Sequence, residues 1–430
     1  MQTHFTPERL ADPDLAEANA ILRKCVHCGF CTATCPSYVL LGDELDSPRG
    51  RIYLIKDMLE NDKPATEKTA LHIDRCLSCL SCMTTCPSDV NYMHLVDQAR
   101  ARIEATFRRP WRERAIRALI AAVLPHAKRF RLAMAAARLA RPFRALLPKA
   151  FGPMFALVPA RSGAPQPAMP QMIPAEGTRR MRVALLPGCV QGTLAPEINA
   201  ATIRLLARHG CEVVLPTGVG CCGALVHHLG RDALDQVRAN VAAWCAEQEK
   251  RGLDAIVINA SGCGTMVKDY GFLLRTDPEW AERGAAVSAL AKDISEVIAS
   301  LGLANPLRPA GLKVAYHAAC SLQHGQRVRA EPKALLMKAG FETIDVPEGH
   351  LCCGSAGTYN ILQPALAGQL RARKLANIAR TEARVIATGN IGCMVQLEEH
   401  GGRPVVHTAE LLDWATGGPR PPKLASLTET

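Results

Sequence analysis

The sequence predicts a multidomain chain of mixed α+β and α/β class: a helical, cysteine-dense N-terminal domain, a basic helical linker, and two pseudo-symmetric, Rossmann-like α/β domains. Three observations predict it. Two cysteine runs of identical spacing lie within the first hundred residues. Beyond a proline-rich stretch, helix-like segments give way to alternating strand-like and helix-like ones. Four cysteines of that second part recur about 131 residues later. At 430 residues the chain exceeds one ordinary core, and about one domain per 150 residues sets a prior of roughly three.

The first domain is read over 14–99. Its two runs are CVHCGFCTATCP (Cys25, Cys28, Cys31, Cys35) and CLSCLSCMTTCP (Cys76, Cys79, Cys82, Cys86), both spaced CxxCxxCxxxCP. Between them, SPRGRIYLIKDMLEND reads as a helix entered after Pro48, with Ile52, Ile55, Met58 and Leu59 at helical spacing. The 18 cysteines nearly equal the 19 aromatic residues, so sulfur serves more than packing. The start of the chain is acidic and lacks the apolar core of a secretory signal. A reducing cytosolic setting is therefore expected, where short-spaced cysteines bind metal in place of forming disulfides.

Residues 100–180 form the linker. From Arg100 to Arg161 there are thirteen Arg and two Lys against Glu104 and Glu113 alone, which exceeds the net +11 of the whole chain. The arginines alternate with Ala and Leu at helical period, broken at Pro125, Pro142, Pro148 and Pro153, and predict short basic amphipathic helices. The five prolines of PARSGAPQPAMPQMIP predict a semi-rigid spacer. No apolar run reaches the ~18 residues of a membrane span.

Two α/β domains are read over 181–305 and 311–418. VALLPGC, EVVLP and DAIVINASGCG are strand-like, with helix-like segments between them closing on Gly210 and Gly252; KVAYHAAC, TIDVP and RVIATGNIGC repeat the series. Cys189, Cys221, Cys222 and Cys263 recur as Cys320, Cys352, Cys353 and Cys393, each half carrying a CCG turn. In a parallel sheet the loops that follow the strands converge at one end, where such folds place ligands. Cys211 and Cys245 fall outside the repeat and read as packing residues. His227, His228, His317 and His324 flank the cysteines; they are candidates for proton coupling or ligation, beside a plain packing role. Arg49 and Arg51 adjoin the first run, as potential-tuning charges or as a solvated helix entry.

Each N-terminal run resembles the bacterial two-cluster ferredoxin signature, in which the fourth cysteine of a run ligates the other cluster. The resemblance implies two [4Fe–4S] clusters, one on Cys25, Cys28, Cys31 and Cys86, the other on Cys76, Cys79, Cys82 and Cys35. Zinc ribbons, the competing reading, need only two CxxC knuckles. The second part resembles the paired CCG domains of heterodisulfide reductase and related subunits. In that family the pattern ends in CxxC, whereas Ala260 and Asn390 stand three residues before Cys263 and Cys393. Four thiols per half remain, so Cys189, Cys221, Cys222, Cys263, Cys320, Cys352, Cys353 and Cys393 are candidates for further iron–sulfur clusters. VALLPGCVQG is not a GxGxxG turn and no phosphate loop appears, so neither flavin nor NAD is expected on this chain.

The order of parts, with KCVHCGFCTATCPSYVLLGDELDSPRGRIYLIK, DRCLSCLSCMTTCPSDV, ASGCGTMVKDYG and HLCCGSAGTYNILQP, is similar to the iron–sulfur subunits of glycolate oxidase (glycolate dehydrogenase). The resemblance implies an electron-transfer subunit with no catalytic residues of its own. A separate FAD-containing subunit would oxidise glycolate to glyoxylate and pass electrons here, for relay toward a membrane quinone. The same layout occurs in glycerol-3-phosphate and lactate dehydrogenase complexes. The cysteines would also suit a heterodisulfide-reductase-like thiol–disulfide enzyme or a cluster-based sensor. The basic segment suits an anionic membrane surface or an acidic partner, and no nucleic-acid motif accompanies it. The implied location is cytoplasmic, peripheral on the inner membrane.

Overall fold

The computed structural model describes residues 1–140, 142, 171–304, 311–398, 402–425 and 427. Most of the proline-rich spacer, and the basic segment from 143 onward, lie outside the described residues. The chain divides into two compact units. One comprises Met1–Ala121 with Leu225–Ala233 and His350–Lys374; the other comprises Ala122–Ala224, Leu234–Gly349 and Leu375–Thr430.

The first unit is helical. Its principal helices are Pro13–Lys24, Pro48–Glu60, Glu67–Asp74 and Tyr92–Thr106. Sequence dictates their starts: Asp12, Ser47 and Thr66 accept backbone N–H bonds at the three N-caps, with Pro13 and Pro48 in the first helical turn. The helices bury Ile21, Leu22, Ile52, Ile55, Met58, Ile73, Leu95, Val96 and Ile103 in one core. Each such side chain stabilises the unit by about 1.5–3 kcal/mol relative to exposure.

The second unit contains two sheets. Strands β1 (Met172–Ile173), β2 (Met181–Leu186), β3 (Cys211–Val214), β4 (Ala255–Ile258) and β5 (Ala291–Asp293) are ordered β1-β3-β2-β4-β5, with all but β1 parallel. Strands β6 (Lys313–Tyr316), β7 (Glu342–Asp345), β8 (Val385–Thr388) and β9 (Val405–His407) form a parallel sheet ordered β7-β6-β8-β9. The internal duplication is therefore topological as well as chemical, since β3-β2-β4-β5 and β7-β6-β8-β9 are the same arrangement. In both, the first strand lies between the second and the third, so the crossovers leave it in opposite directions and open a crevice at its carboxyl end. Strands β5 and β9, of three residues each, were not visible as strand-like runs.

Val183–Leu186 is buried throughout, the continuous apolar run expected of a strand covered on both faces. One apolar core joins residues of both sheets, among them Val183, Leu185, Val213, Val257, Val314, Val385, Val406 and Leu412. Polar contacts join the halves as well. Asp413 receives Arg204 at 2.6 Å and Arg208 at 2.9 Å. His407 accepts the Ala409 N–H at Nδ1, 3.1 Å, which leaves its Nε2 proton to donate to the Asn259 carbonyl, 2.8 Å.

Burial pulls His407 down to about 4 from an ordinary 6.5. A histidine depressed in the folded state contributes fully above its unfolded value, and the contribution is lost as pH falls through 6.5 toward 4. Between pH 7 and pH 5 the wild-type chain is expected to lose about 2 kcal/mol more than His407→Asn, read from denaturant midpoints of both proteins. Parallel losses in the two would refute the assignment.

Candidate metal centres

The two N-terminal runs fold identically, 51 residues apart. Cys25 ends the helix Pro13–Lys24, and Cys76 follows the helix Glu67–Asp74. After each comes a loop with two left-handed residues at matching places, His27 and Gly29 in the first, Ser78 and Leu80 in the second. Three of these four are not glycine, and such a conformation persists only where its surroundings impose it. The loop bends the chain so that successive thiols point inward. A short helix follows, Phe30–Ala33 or Ser81–Thr85. The fourth cysteine then stands extended before proline; Cys35 caps the helix Pro36–Leu41 with Pro36 at its first position.

Two adjoining cavities result. One is lined by Cys25, Cys28, Cys31, Cys82 and Cys86, the other by Cys35, Cys76, Cys79 and Cys82. The fourth cysteine of each run thus lines the cavity built by the other run, and Cys82 borders both. The first cavity opens to solvent at exposed Cys28, Val26 and Phe30, whereas every thiol of the second is buried.

Burial drives the thiols toward their protonated form. It pushes Cys31 up to about 11 and raises Cys82 well above the ordinary value; for Cys79, neighbouring Cys352 and then Cys35 add to the effect of burial. None of these cysteines is in a disulfide. Sets of buried, unbridged thiols facing one cavity suit a metal centre whose positive charge displaces their protons.

The structure corrects the reading of Arg51. Arg49 stays part-exposed by the first cavity, paired with Glu44 at 2.7 Å. Arg51 is buried, 1% exposed, against the second. Its Nε donates to the His72 carbonyl (2.7 Å), Nη2 to Ser37 Oγ (2.9 Å) and Asp46 (3.4 Å), and Nη1 to Cys35 Sγ (3.7 Å). Asp46, fully buried, also meets His72 Nδ1 at 3.0 Å and Arg75 at 2.8 Å. Tyr92 donates its hydroxyl to Cys76 Sγ at 3.8 Å. Sequence reasoning missed Ser37, Asp46, His72, Arg75 and Tyr92. The available signal was Asp46, an acid immediately before the Ser47 cap and five residues from Arg51.

In the second unit the fold brings together Cys189, Cys221, Cys222 and Cys263. Cys189 lies just beyond β2, the CCG turn beyond β3, and Cys263 in the helix Ser261–Lys268 after β4, all at the crevice of the first sheet. Their thiols act on one another electrostatically, Cys189 with Cys221, Cys221 with Cys222 and Cys222 with Cys263. The neighbouring thiols, Cys189 first and then Cys222, pull Cys221 down to about 3, and those two neighbours are raised. Gly223, left-handed at φ +89°, donates its N–H to Cys221 Sγ at 3.5 Å. Asn240 secures the turn, accepting from Gly220 N (2.8 Å) and donating to the Cys221 carbonyl (2.9 Å) and Tyr270 Oη (3.0 Å); Tyr270 in turn donates to the Cys222 carbonyl at 2.9 Å.

Of the second repeat, Cys320 and Cys393 belong to the second unit, where Asn390 donates to Cys393 Sγ at 3.5 Å. Cys352 and Cys353 belong to the first unit with left-handed Gly354, whose N–H meets Cys352 Sγ at 3.4 Å. A methyl group on Gly354 would lie 2.6 Å from the Ala367 carbonyl, so only glycine fits there. His317 is buried with neither ring nitrogen hydrogen-bonded, and His324 is buried too. His227 pairs with Asp97 at 3.3 Å, while burial lowers neighbouring His228 to about 4. Cys211 is fully buried on β3, and Cys245 half-buried on the helix Leu234–Arg251.

Adjoining thiol-lined cavities in a helical unit, with duplicated parallel sheets that each carry a CCG turn, define an iron–sulfur protein of the electron-transferring kind. Residues 24–90 match the family described as "4Fe-4S dicluster domain", and 183–268 and 314–398 each match "Cysteine-rich domain". The chain is 43% identical, over 96% of its length and 99% of the relative's, to the "Glycolate oxidase iron-sulfur subunit" of Escherichia coli. It is 33% identical, over 92% and 94%, to the "Probable glycolate oxidase iron-sulfur subunit" of Bacillus subtilis. The "Lactate utilization protein A" of Bacillus subtilis is 27% identical over 54% of this chain. A solved structure of a hypothetical protein from Helicobacter pylori shares the fold, with TM-score 0.56 and 10% identity over 98% of this chain and 75% of that one. The chain belongs to the family of glycolate oxidase iron–sulfur subunits.

Replacing Asn240 by Ala strips three hydrogen bonds from the CCG turn and leaves the Cys221 carbonyl and Gly220 N–H unsatisfied. A loss of about 1–3 kcal/mol in unfolding free energy is expected, measured by urea denaturation. A change within a few tenths would mean that the turn holds without it.

Proposed function

We propose that this chain is the iron–sulfur electron-transfer subunit of a flavin-dependent glycolate dehydrogenase. In this reading an FAD-containing partner subunit oxidises glycolate to glyoxylate, and the chain carries the electrons toward a membrane quinone. The observation that supports it most is the pair of adjoining cavities sharing Cys82, an arrangement suited to relay between neighbouring centres, together with the names of two relatives that match over nearly the whole chain.

Cys25, Cys28, Cys31 and Cys86 would hold one [4Fe–4S] cluster, and Cys76, Cys79, Cys82 and Cys35 the other, within a ferredoxin-type domain over 14–99. Each cluster, when bound, supplies reversible one-electron storage. The protein supplies the thiols, their burial around the second cavity, and the donors to Cys35 and Cys76. Cys189, Cys221, Cys222 and Cys263, and their counterparts Cys320, Cys352, Cys353 and Cys393, are proposed sites of further clusters in CCG domains over 181–305 and 311–418. The charge of Cys352 reaches Cys79, which favours the second CCG turn as a continuation of the path.

The linker, 100–180, is proposed to meet an anionic surface on the cytoplasmic face of the inner membrane. Along Trp111–Val123 and Ala127–Ala140, Trp111, Leu132 and Leu139 are 72%, 73% and 79% exposed, beside Arg129 and Arg131. At least four arginines of this stretch are committed elsewhere: Arg109 and Arg117 are buried in ion pairs with Asp74 and Glu113, and Arg100 and Arg102 pair with Asp97 and Asp62. No described helix is long and apolar enough to cross a membrane.

Iron and acid-labile sulfide on anaerobically purified protein test the reading. About 8 Fe per chain is expected from the two runs alone, and about 12–16 with the CCG halves loaded. Mixing with the flavin partner and glycolate should then develop the electron paramagnetic resonance signals of reduced clusters. An iron-free chain, or a loaded one that glycolate and the partner leave oxidised, would overturn it. Flotation with anionic liposomes checks the membrane contact separately; equal flotation with neutral liposomes would sink that part.

A further inference from the structure

The two cavities differ in their electrostatic surroundings. The first is open, and its nearby cation, Arg49, is part-exposed and paired one-to-one with Glu44. Water and the carboxylate both weaken that charge at the thiols. The thiols of the second cavity are all buried, and buried Arg51 lines it, 3.7 Å from Cys35 Sγ. An arginine keeps its proton even in such a place. One more donor faces these sulfurs, Tyr92 Oη at 3.8 Å from Cys76; Ser37, which gives its hydroxyl proton to the Asp46 carbonyl at 2.8 Å, lies 3.3 Å from Cys35.

The nearest carboxylate does not cancel this charge. Asp46 accepts from both Arg51 and Arg75, so the group Asp46, Arg51 and Arg75 carries one net positive charge. Arg51 is also fixed, because its Nε is held on the His72 carbonyl and its Nη2 on Ser37. The guanidinium therefore cannot swing out to solvent when the charge beside it changes.

A thiolate-bound iron–sulfur centre becomes more negative by one electron on reduction. Burial alone disfavours that and lowers the potential. A fixed cation and hydrogen bonds to the sulfurs favour it, and the low dielectric that makes burial costly strengthens their effect at short range. We propose that Arg51, assisted by Tyr92, makes the buried centre the higher-potential one of the pair. An electron entering at the exposed centre of Cys28 then comes to rest on the buried centre of Cys35 and Cys76. This assigns an order to the relay, and it rests on the division of the eight cysteines proposed above.

The test is a mediated redox titration of the anaerobically purified full chain, followed by electron paramagnetic resonance, without glycolate or flavin partner. Cys28→Ala removes the exposed centre, so the signal that survives belongs to the buried one. In the wild type this signal should appear at the higher potential. Arg51→Gln should reduce the ratio of reduced to oxidised buried centre at fixed potential at least tenfold, a shift of about 59 mV for a one-electron couple, with the exposed centre unmoved. Tyr92→Phe keeps the ring and removes the hydroxyl, and should shift the same signal in the same direction by about two- to threefold. If Arg51→Gln does not load iron, Tyr92→Phe decides. An iron-loaded variant whose buried-centre potential is unchanged, or a wild type whose exposed centre is the higher, overturns the inference. Absence of iron from the wild type would instead overturn the proposed function.

Discussion

Collecting thiols in a dry interior is the constraint around which the helical unit is arranged. A buried thiol holds its proton, as Cys31, Cys79 and Cys82 do, and becomes a thiolate only where positive charge is supplied nearby. A metal centre supplies most of it. Around the second cavity the protein adds its own contribution, Arg51 against Cys35, and must then manage a buried guanidinium. Asp46, the His72 carbonyl and Ser37 do so. Removing one member of such a group costs about 3–5 kcal/mol, because the remaining charge has no water to turn to. The helix that carries Arg51 also needs Gly50, since a methyl group there would run into the Glu44 carbonyl. The polypeptide around Asp46 is thereby fitted closely to the side chains it faces.

The second unit meets a similar demand by topology. Parallel strands with opposite crossovers open a crevice at the carboxyl end of β2, and three successive connections deliver Cys189, the CCG turn and Cys263 to it. Left-handed Gly223 lets the turn fold tightly enough for its own N–H to reach Cys221. The strands need no such precision; they need apolar side chains on both faces, which Val183–Leu186 and Ala255–Ile258 provide. Duplication then copies both properties at once, since strand register and cysteine spacing shift together by the same 130 or 131 residues.

The legible features were those carried by short-range spacing. CxxCxxCxxxCP is readable because its loop, its left-handed residues and its proline all lie within a dozen residues. The parallel strands were readable as apolar runs bounded by Gly and Pro. Strands β5 and β9 were missed because three residues, two of them charged in Ala291–Asp293, carry no usable period. Arg51 was misplaced for a different reason. Along the chain it is nearest to the first cysteine run and looks like the polar face of a helix entry, and only packing reveals that this face is turned inward. Arg109 and Arg117 were hidden in the same way within a stretch that reads as uniformly basic.

By itself the sequence determined the metal-binding chemistry, the two classes of domain and their duplication, because each rests on residue type and local spacing. Tertiary structure decided which thiols line the same cavity, that Cys82 borders both, that one set of thiols includes an exposed member while the other is wholly buried, and which arginine faces sulfur and which faces water. Those outcomes depend on contacts between residues such as Asp46 and Arg75, or Arg75 and Tyr359, which lie far apart along the chain. Charge acts through space, and its strength depends on the water excluded around it, so the folded protein alone sets its value at each sulfur.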